Sequence, residues 1–99
     1  MKQLSENKIY WGDLHSHCAI SYGEGSLENA VKRAAQQLDF CSITGHAFWP
    51  DIEMLSDDKK DIKKYHIKGF IKLKKNWQKI LKKLKSFENK YNIKIFPSY

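Results

Sequence analysis

The sequence has nowhere near the roughly 18 consecutive apolar residues that a membrane-spanning helix needs. Its first residues, Met1 to Asn7, lack the apolar stretch of a secretory leader. Cysteine is scarce: Cys18 and Cys41 are too few, and wrongly spaced, for a zinc ribbon or a disulfide framework. The expected compartment is therefore a reducing cytoplasm. Arginine is nearly missing, since all but Arg33 of the 18 basic residues are lysine. No repeat or low-complexity tract occurs. With 41% apolar and 13% aromatic residues, a disordered or collagen-like chain is excluded.

What is present is enough for one small domain: 99 residues can bury a single modest core. Charge is divided unevenly. Residues 1–58 carry 4 basic and 9 acidic side chains and residues 59–99 carry 14 and 2, so the balances are −5 and +12 within the overall +7. A basic block of this kind can mark a nucleic-acid or anionic-membrane partner, but charge runs are more often solvated faces.

Lys8 to Trp11 reads as a strand running on through Asp13, Leu14 and His15. A turn-rich stretch from Ser21 to Gly25 follows, and Ser26 stands where a helix N-cap belongs. Leu27, Ala30, Val31, Ala34, Ala35 and Leu38 recur at helical spacing, which predicts a helix over 27–38. Asp39 to Thr44 predicts a second strand, ended by Gly45. Residues 46–68 carry no clear period; Asp57 to His66 is polar and expected to be exposed. From Gly69, the stripe Phe70, Leu73, Trp77, Ile80, Leu81, Leu84, Phe87 and Tyr91 predicts an amphipathic helix capped at Asn92. Ile93 to Phe96 predicts a third strand. The order β-α-β-α-β argues for an α/β fold with parallel strands. Three strands make a poor sheet alone, so residues 1–99 are expected to be the opening of a larger domain.

Asp13, His15 and His17 stand at i, i+2 and i+4. On a regular strand all three point to one side, where two imidazoles can reach one metal and a carboxylate can ligate or orient them. His46 follows the second strand by two residues. The C-terminal ends of parallel strands lie side by side, so topology is expected to bring His15, His17 and His46 together. Cys18 and Cys41 are expected to be buried small residues. His66, in a lysine-rich loop, is expected to be exposed. Phe48 and Trp49 either wall the pocket or pack on the helix below it.

The run Tyr10-Trp11-Gly12-Asp13-Leu14-His15-Ser16-His17-Cys18, followed by Ser21-Tyr22-Gly23-Glu24-Gly25, resembles the first motif of the PHP (polymerase and histidinol phosphatase) superfamily. Leu38-Asp39-Phe40-Cys41-Ser42-Ile43-Thr44-Gly45-His46-Ala47 resembles its second motif, and the pair together resembles an uncharacterised branch of it. The resemblance is close over 9–51 and extends to 69–99 only in pattern. It implies a distorted (β/α)7 TIM-like barrel holding two or three divalent metals, Zn, Mn or Fe, at the strand ends, with metal-dependent hydrolysis of a small-molecule or polymer phosphate ester. Carried over by position, His15, His17 and His46 are metal ligands, and Asp13 orients a ligand or assists proton transfer. A further family ligand falls near Tyr22, where Glu24 could stand in. The second motif's usual Asp is Gly45 here. The family's later ligands lie beyond Tyr99, so the remainder of the barrel is missing from these residues. A truncated, non-catalytic remnant of the fold is the first alternative. The second is a binding module using Lys72, Lys74, Lys75, Lys79, Lys82, Lys83 and Lys85 on nucleic acid or an anionic surface; its lysines lack the interleaved aromatics of a stacking platform.

Overall fold

The structure, a computed structural model, describes residues 8–99. It is a three-stranded parallel sheet with helices: β1 (Gly12–Ser16), α1 (Leu27–Ala35), β2 (Phe40–Ile43), α2 (Lys60–Tyr91) and β3 (Lys94–Ile95). The strands lie in the order β1-β2-β3, all parallel. The expected α/β alternation is therefore present; the strands are shorter than the sequence predicted.

Helix α1 starts where its capping chemistry says it should. The Ser26 hydroxyl accepts the Asn29 N–H at 3.1 Å, and Leu27 and Val31 are buried beneath it. Helix α2 differs from expectation. It begins at Lys60 rather than Gly69 and runs 32 residues to Tyr91. Its first turns are rich in lysine and leave Ile62 and Tyr65 exposed, so they carry no apolar stripe for a periodicity argument to find. Its end is as predicted: Asn92 adopts φ 52° and ψ 53°, the left-handed conformation that closes a helix.

One core joins these elements. Leu27 and Val31 of α1, Cys41 and Ile43 of β2, Leu73, Ile80 and Leu84 of α2, and Ile93 and Ile95 around β3 form a single buried cluster, with Trp77, Phe87 and Tyr91 packed against it. The predicted stripe of α2 is thus largely the face that is buried. Cys18 and Cys41 are buried free thiols, as expected. Right-handed crossovers between strands laid down in one direction put their helices on the same side. Both helices accordingly pack on the sheet face that carries Cys41, Ile43 and Ile95. The other face holds an open apolar hollow of about 510 Å³ lined by Tyr10, Leu14, Phe40, Ser42, Phe96 and Ser98. No helix among the described residues is long and apolar enough to cross a membrane.

Strand β1 is not regular, and this matters for the site. Asp13 pairs with Cys41 and Ser16 with Ile43, so β1 advances three residues while β2 advances two. The extra residue is a β-bulge, which reverses the alternation of faces beyond it. Asp13 and Ser16 therefore share the face of Cys41 and Ile43, and all four line a hollow against Ala30, Arg33 and Ala34 of α1.

Candidate functional site

The C-terminal edge of the sheet gathers all four histidines of the described residues. His15 and His17 come from the end of β1 and the residue just past it, His46 from the loop after β2, and His66 from the N-terminal part of α2. His15 Nε2 and His17 Nε2 lie 3.1 Å apart, with the two rings edge to face. Thr44 extends β2 past the His17 backbone, and its carbonyl oxygen lies 2.7 Å from His17 Nδ1. A carbonyl can only accept, so His17 carries a proton on Nδ1 and, when neutral, keeps its lone pair on Nε2.

Tyr22, His46 and His17 stack in a column. Tyr22 lies 3.7 Å from His46 between centroids at an interplanar angle of 13°, and His46 lies 4.0 Å from His17 at 17°. Ser21, buried just before Tyr22, accepts the His46 backbone N–H at 3.0 Å, and its hydroxyl lies 3.0 Å from His46 Nδ1. Partial burial, then the nearby positive charge of His17, His66 and His15 in their protonated forms, pushes the His46 imidazole below its ordinary value. It is thereby held neutral near pH 7, the form that coordinates metals. Parallel stacking has a cost for the expected three-histidine centre. The lone pairs of stacked rings run side by side instead of meeting at a point, and among the described residues no group of three or more His, Cys, Asp or Glu side chains is arranged to hold a metal ion.

The bulge separates Asp13 from the histidine pair, contrary to the single-face expectation. Asp13 Oδ1 accepts the His15 backbone N–H at 2.9 Å and Oδ2 accepts the Ser16 hydroxyl at 2.5 Å. The Ser16 hydroxyl first, and then the His15 N–H, hold the carboxyl below its ordinary value. Asp13 thus fastens the bulge of its own strand and touches neither imidazole ring by hydrogen bond. The partner that orients His17 is the Thr44 carbonyl. Glu24 sits exposed between Gly23 and Gly25 and forms no hydrogen bond or ion pair with any of the histidines among the described residues. The position near which a further ligand was expected is filled by Tyr22 as a stacking ring.

Gly45 stands where a carboxylate was the familiar residue, and packing accounts for it. A Cβ at this position would fall 2.5 Å from Cδ2 of Leu73, whose side chain is buried in the core. An aspartate there would force the buried Leu73 side chain of α2 to shift.

His66 corrects the sequence reading. It lies in α2, not in a loop, and its ring stands edge-on to His46 at 6.1 Å, to Tyr22 at 5.7 Å and to Trp49 at 5.8 Å. Trp49 therefore walls the site, whereas Phe48 packs on Phe70 at 5.3 Å. The missed signal was compositional: of the four histidines, His66 alone is embedded among lysines, and its helix shows no stripe at that point.

No family model, curated protein or solved structure matches this chain.

Proposed function

We propose that the chain is the opening part of a PHP-type metal-dependent phosphoesterase. The observation that carries this reading is the His15–His17 pair with its Thr44 anchor. Two ligands bound to one divalent ion at about 2.0–2.1 Å stand roughly 2.9–3.4 Å apart, depending on octahedral or tetrahedral geometry. The two Nε2 atoms, 3.1 Å apart, already have that separation. Metal-ligating histidines commonly donate their other N–H to a carbonyl, as His17 does to Thr44. The donor set therefore fits two positions of a divalent cation; His46, stacked flat on His17, would have to turn its ring to supply a third. A divalent ion there supplies Lewis acidity toward a phosphoryl oxygen and acidifies a water. The chain's own part is to keep the His17 lone pair on Nε2, to fix the His17 ring through Thr44 and the His46 ring through Ser21, and to wall the site with Tyr22 and Trp49.

The finer fold belongs to the same proposal. Three parallel strands in sequential order, with both helices on one face, are the winding from which a (β/α)7 barrel is built, and the uncovered face would be its interior. The lack of a three-donor group among the described residues favours, as second reading, a remnant that binds metal without turnover.

Equilibrium dialysis of the 99-residue chain against Mn²⁺, Zn²⁺ and Co²⁺ tests the metal site. Binding that is lost in His15→Ala and His17→Ala is the expected result; no binding by the unaltered chain overturns it. Hydrolysis of p-nitrophenyl phosphate with Mn²⁺ or Zn²⁺, abolished by His15→Ala, separates the enzyme from the remnant.

A further inference from the structure

We propose that His66 is an oxyanion-binding residue whose Nε2–H takes a phosphoryl oxygen of the ester handled beside it. The proposal rests on the phosphoesterase reading for the identity of the anion, but its geometry is independent of the His15–His17 pair. His66 Nε2 is buried and has no hydrogen-bond partner among the described residues. Buried polar nitrogens without a partner are rare, and each one calls for an explanation, a bound ligand among them. The ring's other nitrogen, Nδ1, lies 3.4 Å from the Tyr22 hydroxyl.

This contact sets the proton. A phenol is the better donor and an imidazole nitrogen the better acceptor, so within this proposal the Tyr22 hydroxyl donates to Nδ1 across their 3.4 Å contact. Neutral His66 then carries its own hydrogen on Nε2. A protonated Nε2 cannot ligate a metal, but it is a donor, and a phosphoryl oxygen is the acceptor that the phosphoesterase reading supplies for it. No carboxylate hydrogen-bonds to His66 among the described residues. The site around it is built of rings: Tyr22, His46 and Trp49 each face His66 within 5.7–6.1 Å between centroids. A tetrahedral phosphate carries several oxygens, so one can accept from His66 while another rests at the neighbouring histidine pair. Tyr22 has two tasks here. Its face supports His46, and its hydroxyl, by donating to Nδ1, fixes the hydrogen of His66 on Nε2.

The test is titration calorimetry of the 99-residue chain with inorganic phosphate, with and without saturating Mn²⁺, together with Mn²⁺ binding itself. In His66→Ala, phosphate affinity should fall tenfold or more while Mn²⁺ affinity stays within twofold. His66→Gln, whose amide N–H reaches a similar position, should recover part of the loss. Tyr22→Phe keeps the stacked ring and should weaken phosphate several-fold, which covers the case of a His66→Ala chain that does not fold. Phosphate affinity unchanged in both His66→Ala and Tyr22→Phe overturns the proposal. So does a loss of Mn²⁺ binding in His66→Ala as large as in His15→Ala, which would make His66 a ligand. An unaltered chain that binds Mn²⁺ but not phosphate sinks this proposal and leaves the metal reading standing. Phosphate binding by a chain that binds no Mn²⁺, lost in His66→Ala, upholds it and sinks only the metal reading. Binding of neither overturns both.

Discussion

His17 on the first strand donates its Nδ1 hydrogen to the carbonyl oxygen of Thr44 on the second, at 2.7 Å. A side chain from one strand end is thus oriented by the backbone of the next, and the pairing of β1 with β2 sets the imidazole. Backbone orientation has a consequence for mutagenesis. Replacing Thr44 changes only the side chain, whose hydroxyl donates weakly to Ser16 O at 3.3 Å, so Thr44→Val should leave metal binding within a few-fold of the unaltered chain. His17→Ala should abolish it. Parallel dialysis of the two variants checks the contrast; a Thr44→Val chain as defective as His17→Ala would show that the hydroxyl, not the carbonyl, matters.

Ser21 is a second fastening. Its buried oxygen accepts the His46 N–H and faces His46 Nδ1, both at 3.0 Å. Ser21→Ala leaves that N–H without its acceptor, a loss of about 1–2 kcal/mol for an unsatisfied donor. Urea unfolding should show the midpoint moving down with an unchanged slope, and Co²⁺ spectra should show a weakened site. An unchanged midpoint would mean that water takes the place of the hydroxyl at no cost.

Gly69 gives a case where helix propensity and packing point in opposite directions. In a helix interior, glycine to alanine ordinarily gains about 1 kcal/mol. Here the new Cβ would lie 2.8 Å from Cδ1 of Tyr22, 3.0 Å from its backbone nitrogen and 3.1 Å from the Ser21 carbonyl carbon. The loop backbone cannot yield as a flexible side chain could, so packing should win. Gly69→Ala is expected to destabilise by about 1–3 kcal/mol, the usual cost of overfilling a packed contact, and to loosen Tyr22 from His46. Thermal unfolding decides the sign: a stabilised variant would mean that the loop shifts freely.

These contrasts also show which parts could be read from residue order. The Ser26 cap, the Asn92 terminus and the lower two-thirds of α2 were legible because each has a local signature: an oxygen at the cap, a residue tolerant of positive φ, an apolar stripe. The meeting of His15, His17 and His46 was legible because parallel topology alone places strand ends together. Asp13 was not, because a single extra residue in β1 reverses a face, and neither spacing nor residue type announces a bulge. Its Asp-x-x-Ser pattern, with a carboxylate able to bind its own following N–H and hydroxyl, was the available clue. His66 was hidden because it depends on where α2 begins, and that beginning carries lysines instead of a stripe.

Asp13 should act on stability more than on chemistry. Its carboxyl is held below its ordinary value by Ser16 and the His15 N–H. A lowered value in the folded state means that the unfolded chain binds the proton more readily. The stabilisation is therefore complete at neutral pH and is lost as pH falls below about 3.8, its ordinary value. Asp13→Ala should lower the melting temperature at pH 7 and flatten the acid limb of a stability–pH curve, with Mn²⁺ affinity changed far less than in His15→Ala. Loss of metal binding without loss of stability would return Asp13 to the site.

The two thiols should be silent in the folded chain. Cys18 and Cys41 are each 1% exposed, and burial raises both, Cys41 to about 11. Iodoacetamide at pH 8 should label neither until denaturant is added. Because the Cys41 value is raised on folding, stability should also decline as pH rises from about 9 toward 11. Labelling of the native chain at the rate of a free thiol would contradict the packing described for α1 and β2.

The uncovered sheet face makes the last prediction. Parallel sheets are usually covered on both faces. Here both helices lie on one side, and on the other Leu14 and Phe96 remain 58% and 44% exposed beside Tyr10 and Phe40. An apolar hollow of this kind, flanked by the outer edges of β1 and β3, which pair with no further strand among the described residues, favours association. The 99-residue chain should bind a hydrophobic dye and self-associate with rising concentration in sedimentation, and its thermal transition should be shallow. Leu14→Lys with Phe96→Lys places two charges on that face and should suppress both dye binding and association, while the core of Val31, Cys41 and Leu84 on the far side stays intact. A monodisperse chain that ignores the dye and melts cooperatively above about 65 °C, the upper end for ordinary domains, would show that three strands and two helices suffice, and that the open face needs no cover.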